Sequence, residues 1–219
     1  MSGLILKDFL ILRKTLRSYL LFVAVYSAVA SSGFWSASFM GGFIIMMLAI
    51  LPMNVFAYDK QAKWDTYGLA LPVSRTKTVA ARYLTVLVLT AVSVALSAAL
   101  GAALSLLGRM EETFAEYLLT CTVMAVLALL TNAMMLPLLY KFGSERARMM
   151  LFGVMGTIVL VGVVVLAPLG GIEWLKSLEL AEPAMEQVAA VPVIAAAAGL
   201  VLLALSFLLS RHFYGSKDI

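Results

Sequence analysis

Charged residues are scarce in this chain. Asp, Glu, Lys and Arg make up 13% of its 219 residues, 63% are hydrophobic, and the mean hydropathy is +1.02. Because a soluble domain is about half apolar and a quarter charged, this composition excludes an ordinary soluble domain. It is typical of a polytopic membrane protein, and the loops are too short to hold a folded soluble module.

Groups that catalyse reactions or bind metals are also few. The chain has one cysteine, Cys121, and one histidine, His212, so we expect neither a disulfide framework nor a zinc cluster. No Gly-rich loop ends in Gly-Lys-Ser or Gly-Lys-Thr, which excludes the usual cradle for nucleotide phosphates. A membrane enzyme acting on lipid would need a nucleophile or an acid and base pair that the sequence does not provide. We therefore expect no cofactor in this chain.

Six long apolar runs are what the chain has instead. They cover residues 19–34, 39–56, 83–107, 117–139, 149–169 and 188–209. Most are close to the ~20 residues that a helix needs to cross a bilayer. The sequence therefore predicts an all-α fold with six transmembrane helices in a single transmembrane domain over residues 1–219.

The charges between these runs divide unevenly. With six crossings, fourteen of the sixteen Lys and Arg residues lie on one side with five acids, whereas two cations and seven acids lie on the other. An excess of Lys and Arg marks the cytoplasmic side, so both termini are predicted to be cytoplasmic in a plasma membrane. The formal net charge of +4 is a sum over two surfaces and does not indicate a nucleic-acid partner. No charged residue falls in the middle of a run, which argues against an ion-coupled carrier.

Two segments outside the runs have amphipathic spacing. Residues 1–17 place apolar side chains at helical spacing with their cations clustered, which predicts an interfacial helix; the alternative is a solvated extension of the first transmembrane helix. Residues 171–187 repeat an apolar residue every three positions among acids, which predicts a short helix on the outer surface; the alternative is a disordered loop.

Some residues inside the runs predict how the helices pack. Pro52 favours a kink in the second run. After this run, Pro72 favours a break before a second helical start, with Ser74 as its N-cap. Ser93, Ser97, Gly101 and Ser105 form a row of small residues at four-residue spacing, which lets another helix approach closely, within this chain or from a second copy. Asn132 is interpreted as a polar packing residue.

Several cytoplasmic segments carry a family resemblance. Residues 58–67 (YDKQAKWDTY), followed by LPVSR at 71–75 and by residues 79–83, resemble the first cytoplasmic loop of ABC-2-type transporter permeases of Gram-positive bacteria. Residues 137–143, with Glu145 and Arg148, are similar to their second loop, and residues 6–9 to their N-terminus. The branch most resembled includes the permease subunits of exporters for phenol-soluble modulins, which are amphipathic, membrane-active peptides.

The resemblance implies a machine with several subunits. Two six-helix permeases, expected to form a homodimer, would each dock on a cytoplasmic ATPase subunit that binds ATP and Mg. The loop over residues 59–82 resembles the coupling helix that is seated in the ATPase. The residues expected to serve this coupling are Asp59, Lys60, Lys63, Trp64, Asp65, Tyr67, Pro72, Ser74, Arg75, Lys141, Phe142 and Arg148.

The physical chemistry of these residues allows a second interpretation. Trp64 and Tyr67, three apart on a helix over residues 59–69, suit a groove on a partner, but aromatic rings also rest at the headgroup level. Lys141 and Arg148 suit either a second partner contact or anionic lipid.

The resemblance predicts the permease subunit of an exporter for amphipathic or hydrophobic peptides. The alternative is a non-transporting membrane scaffold or a peptide-immunity sensor. Candidates for lining a substrate path are Phe34, Trp35, Phe39, Phe43, Met46 and Met47, for which lipid-facing or core packing is the alternative.

Overall fold

The structure, a computed structural model, describes residues 2–31, 35–64, 74–110, 112–161 and 185–215. Throughout these ranges the chain is helical, with no strand. The helices are α1 (Ser2–Ser31), α2 (Ala37–Ala49), α3 (Leu51–Gln61), α4 (Arg75–Leu106), α5 (Phe114–Val161) and α6 (Met185–Gly215). The predicted all-α fold is confirmed for this part of the chain.

Four helical segments among the described residues are long and apolar enough to cross a membrane. They are Ala37–Gln61, Arg75–Leu106, Phe114–Ala147 and Ala196–Gly215. These segments correspond to the second, third, fourth and sixth predicted crossings. The fifth predicted crossing runs past residue 161, and the outer segment over 171–187 falls almost wholly outside the described ranges. The count of six crossings therefore stays a prediction.

α1 is one continuous helix of 30 residues. Residues 2–17 therefore continue into residues 18–31 without a break, and the position of residues 1–17 in the membrane interface stays a prediction. The helix runs antiparallel to α2 and α3, because Tyr26 lies against Phe43 near one end and Lys7 against Asp59 near the other. Its buried face packs on α2, α3 and α4 through Leu12.

The second crossing is divided at Ile50 into α2 and α3. Pro52 lies in the first turn of α3, where the missing backbone N–H is not needed. Met53 N donates to the Ile50 carbonyl. The Ala49 carbonyl accepts from another helix instead, because Asn132 Nδ2 donates to it at 3.0 Å. The predicted kink and the predicted packing role of Asn132 are both confirmed.

The small residues of α4 pack within the chain around one aromatic ring. Tyr117 of α5 is fully buried, and its hydroxyl lies 2.9 Å from Ser97 Oγ. A side chain added at Gly101 or at Gly41 of α2 would overlap Tyr117. Ser93 is buried as well, so intrachain packing is established for three of the four residues in the row.

Candidate functional site

Segments from five helices meet at one end of the bundle. They are the start of α1, the end of α3, the start of α4, the middle of α5 and the end of α6. The contacts that join them are Lys7 Nζ to Asp59 Oδ1 (2.9 Å), Lys60 Nζ to Glu145 Oε1 (3.2 Å) and Arg75 Nη1 to the Gly215 carbonyl (2.7 Å). We call this the basic end, because Lys7, Lys60, Arg75 and Lys141 all lie there.

Two carboxylates and one guanidinium are buried together at the basic end, beside a partly buried lysine. Lys7 and Asp8 come from α1, Asp59 from α3 and Arg82 from α4. Arg82 Nη2 donates to Asp59, Lys7 Nζ bonds to both Asp59 oxygens at 2.9 and 3.1 Å, and Arg82 Nη1 lies 3.0 Å from Asp8 Oδ2. The formal charges cancel, and this ion cluster ties three helices together.

The ion cluster is enclosed by apolar and hydroxyl groups. The Arg82 guanidinium lies 4.7 Å from the centre of the Phe56 ring, and Thr85 Oγ1 donates to Asp8 at 3.2 Å. The contact of Arg82 Nη1 with Asp8 is an ion pair without hydrogen-bond geometry. Burial raises the pKa of the Asp8 carboxyl, because loss of water outweighs the attraction of Arg82 and Lys7. Since buried charges are stable only when paired, each member depends on the other three.

Trp64 contacts the ion cluster from the surface. The Lys7 ammonium that bonds to Asp59 also lies 4.0 Å from the centre of the Trp64 ring, a cation–π contact. The helix before it ends at Gln61, and Lys63 takes the left-handed backbone conformation with φ of 50°. The predicted helix over residues 59–69 is therefore broken before Trp64. Asp65, Tyr67 and Pro72 lie outside the described residues.

A cavity of about 280 Å³ opens beside the ion cluster. One wall comes from α3 and the residues after it, including Lys60 and Trp64, and another comes from the α5 segment Lys141 to Ser144. The α5 wall changes direction at Gly143, whose φ of 78° and ψ of 171° interrupt the helix. Two segments about 80 residues apart in sequence thus line one concave surface.

Comparison with known proteins identifies the family. A family model described as "ABC-2 family transporter protein" matches residues 3–215. The chain belongs to the ABC-2 transporter family. No curated protein and no solved structure matches it. It is accordingly a multi-pass membrane permease component of an ABC transporter, and its family implies an ATPase partner.

Two predicted coupling residues of the permease bond within the chain. The Asp59 carboxylate is buried at the wall of the cavity, where it is bonded to Lys7 and Arg82. Arg75 donates to the carbonyls of Tyr214 and Gly215, which end α6, as cations at helix C-termini commonly do. The sequence predicts that both residues contact the ATPase. In the folded chain, each is also bonded to groups of the permease itself.

The other predicted coupling residues are placed as follows. Ser74 caps the N-terminus of α4, with its side chain accepting from the Lys77 backbone N–H, as predicted from Pro72 and the serine. Lys60, Lys63 and Lys141 are exposed, and Phe142 is half-buried in the cavity wall. Arg148 lies in α5, but its side chain is outside the described residues.

The candidate path residues form a row of rings on α2. Trp35 contacts Phe39 with ring centres 4.7 Å apart, and Phe39 stacks near Phe43 at 6.4 Å. All three rings are exposed. Met46 packs partly against the core and Met47 is half-buried, whereas Phe34 lies outside the described residues.

The opposite end of the permease has a polar contact that sequence reasoning missed. Glu112, between α4 and α5, accepts from the Ser38 backbone N–H at 2.7 Å and from the Ser38 hydroxyl. A carboxylate at the start of α2 satisfies free N–H groups and complements the helix dipole. The two residues are 74 apart in sequence, so no local spacing indicates the pair.

Proposed function

We propose that this permease couples ATP hydrolysis on a separate ATPase subunit to the export of amphipathic or hydrophobic peptides across a bacterial plasma membrane. The basic end would face the cytoplasm, as the excess of Lys and Arg favours. One observation carries the proposal: both segments expected to contact the ATPase line the same cavity beside Trp64. A surface assembled from remote parts of the sequence suits a folded partner better than a lipid headgroup.

The cavity has the chemistry of a docking site. Trp64 supplies an aromatic wall, and the exposed cations Lys60 and Lys141 line the cavity with it. An acidic or aromatic side chain of the ATPase would find both apolar area and opposite charge there, as interface hot spots commonly combine. In the complete transporter, two permease copies, proposed as a homodimer, would dock two ATPase subunits that bind ATP and Mg.

A chain of contacts leads from this surface into the bundle. Trp64 touches Lys7, Lys7 bonds to Asp59, and Asp59 bonds to Arg82. We propose that a displacement of Trp64 by the ATPase moves the end of α3 and, through the ion cluster, α1 and α4. Buried ion pairs transmit such a movement well, because separating them leaves charges without partners.

The candidate spans suit an apolar cargo. Their charged residues lie near the ends, such as Asp59 in Ala37–Gln61 and Arg82 in Arg75–Leu106. A path between them would offer apolar and aromatic contacts to one face of an amphipathic peptide. The exposed ring row of Trp35, Phe39 and Phe43, with Phe34, Met46 and Met47, is proposed as part of that path.

Docking is tested with the tagged permease and the ATPase that copurifies with it, identified by its nucleotide-binding motifs. The double variant Lys60→Glu, Lys141→Glu reverses two charges at the cavity. Capture of the ATPase should fall about tenfold or more. Lys14→Glu, a reversal on the exposed face of α1, is the matched control and should capture the ATPase normally. Equal capture by all three proteins would contradict the docking site.

Transport is tested in inside-out vesicles that contain the captured complex. A fluorescent amphipathic helical peptide should accumulate with ATP and Mg but not with a non-hydrolysable nucleotide. A complex that binds the peptide and the ATPase without ATP-dependent accumulation would instead indicate a peptide-immunity sensor or a scaffold.

A further inference from the structure

The exposed face of α1 has a three-part pattern. Leu6 and Leu10 come first, with 60% and 59% of their surface exposed. Arg13, Lys14 and Arg17 follow, all exposed. Leu20, Leu21 and Val25 then continue the same face, again more than half exposed. At 100° per residue these side chains fall within less than half of the helical wheel, so a basic patch lies between two apolar patches.

The basic patch has no counter-charge within the described chain. Asp8 is the sole acid in α1, and it is buried on the opposite face, where it pairs with Arg82. Arg13, Lys14 and Arg17 make no ion pair or hydrogen bond with any described residue. Three neighbouring cations with nothing opposite them favour an anionic ligand.

The length of α1 sets the depth of the patch. Its uncharged part, residues 18–31, has 31 − 18 + 1 = 14 residues. At 1.5 Å per residue this part is about 21 Å long, against a hydrocarbon thickness of ~30 Å. The cations are therefore drawn to the level of the phosphates, where long basic side chains reach the headgroups while their neighbours contact acyl chains.

The ion cluster holds the helix in this orientation. Asp8 pairs with α4 from the buried face of α1, and Lys7 pairs with α3 from the edge of the exposed face. The start of α1 cannot rotate about its axis without separating these pairs. Arg13, Lys14 and Arg17 are consequently held outward, away from the bundle.

We propose that Arg13, Lys14 and Arg17 form a binding site for the phosphate group of an anionic phospholipid in the cytoplasmic leaflet. The acyl chains lie along Leu20, Leu21 and Val25, and Leu6 and Leu10 insert in the interface on the other side of the patch. Charge complementarity and the apolar flanks are what distinguish a lipid from a soluble anion. The site needs the permease and a bilayer alone, so it stands independently of ATPase docking and peptide export.

The test uses the purified permease without any ATPase, in bilayers of phosphatidylcholine that contain spin-labelled lipid. The fraction of motionally restricted label reports association with the protein. The wild type should prefer labelled phosphatidylglycerol over labelled phosphatidylcholine by about fivefold at low salt. The preference should fall steeply towards 1 M salt, where the Debye length is about 3 Å.

Two variants with equal charge change locate the site. Arg13→Gln, Lys14→Gln, Arg17→Gln should lose most of the preference. Lys63→Gln, Lys77→Gln, Arg211→Gln removes three exposed cations elsewhere at the basic end and should keep it. A wild type without preference, or equal losses in both triple variants, would overturn the proposal.

A further outcome separates lipid from protein as the ligand. If the α1 triple variant keeps its lipid preference but captures less ATPase from membranes, the patch is a protein contact and the lipid site is refuted. Conversely, loss of the lipid preference with normal ATPase capture supports the lipid site, whether or not the ATPase docks at the cavity.

Discussion

The basic end and the middle of the bundle are joined by different kinds of contact. Around Tyr117 the groups are neutral: Ser97, Gly101 and Gly41 fit against one ring, and hydroxyls satisfy each other. At the basic end Asp8, Asp59 and Arg82 are buried ionisable groups that pair with each other and with the partly buried Lys7. The middle therefore depends on shape, whereas the basic end depends on charge balance and contacts the surface through Trp64. This difference teaches that one helical bundle can combine a centre held by close packing with an end held by charge balance.

Breaking the charge balance should have the largest effect. Arg82→Gln leaves two buried carboxylates with Lys7 as their one cation, and loss of a buried ion-pair partner costs about 3–5 kcal/mol. We expect a strongly lowered melting temperature, measured by size-exclusion chromatography of heated, detergent-solubilised protein.

A second substitution makes this prediction sharper. Arg82→Gln with Asp8→Asn leaves Lys7 and Asp59 as a neutral pair, so part of the stability should return. Arg13→Gln, which removes an exposed cation of α1, serves as the control and should melt like the wild type. No difference between Arg82→Gln and Arg13→Gln would contradict the dependence on charge balance.

Enlarging the close-packed centre should have an intermediate effect. Gly101→Val places a branched side chain against the Tyr117 ring, and overpacking costs about 1–3 kcal/mol. The same melting assay measures the loss.

The matched control for the centre is another helical glycine. Gly153→Ala adds a methyl group where no atom lies within 4 Å and should be neutral or slightly stabilising. Combining Gly101→Val with Tyr117→Leu should recover stability, because the smaller side chain makes room. A normal melting temperature for Gly101→Val would show that the centre is less tightly packed than the structure indicates.

The surface ion pair at the basic end should have the smallest effect on stability. Lys60 and Glu145 are 3.2 Å apart, but their side chains are 58% and 80% exposed. Exposed pairs contribute about 0–1 kcal/mol, so Glu145→Gln should change the melting temperature by little. A loss comparable with that of Arg82→Gln would show that exposure does not distinguish the two kinds of ion pair in this protein.

Sequence reasoning succeeded where the cause is local. Pro52 divides the second crossing because proline lacks a backbone donor, and Ser74 caps α4 because its side chain reaches an N–H three residues on. The row of Ser93, Ser97 and Gly101 follows the helical repeat, so its packing role was visible from spacing alone.

Sequence reasoning did not reveal the contacts that depend on the tertiary structure. Arg82 was counted with the loop cations, since a cation near the end of an apolar run can either face water or pair inside the bundle. Asp59 and Arg75 bond to groups of the folded chain that no spacing indicates, and their contact with a partner stays a prediction. Lys63 breaks the expected helix before Trp64 through a backbone conformation that its residue type does not suggest.

Composition and spacing alone determined that this protein is a helical, multi-pass membrane protein with a basic side, because the hydrophobic effect and the length of a membrane-crossing helix act on every residue regardless of its distant neighbours. The tertiary structure decided which charges are buried and which remain free for a partner or a lipid. Residues 7, 8, 59 and 82 form one ion cluster only when three helices are packed together, since the pairing energy of a buried charge depends on distances that the order of residues does not contain.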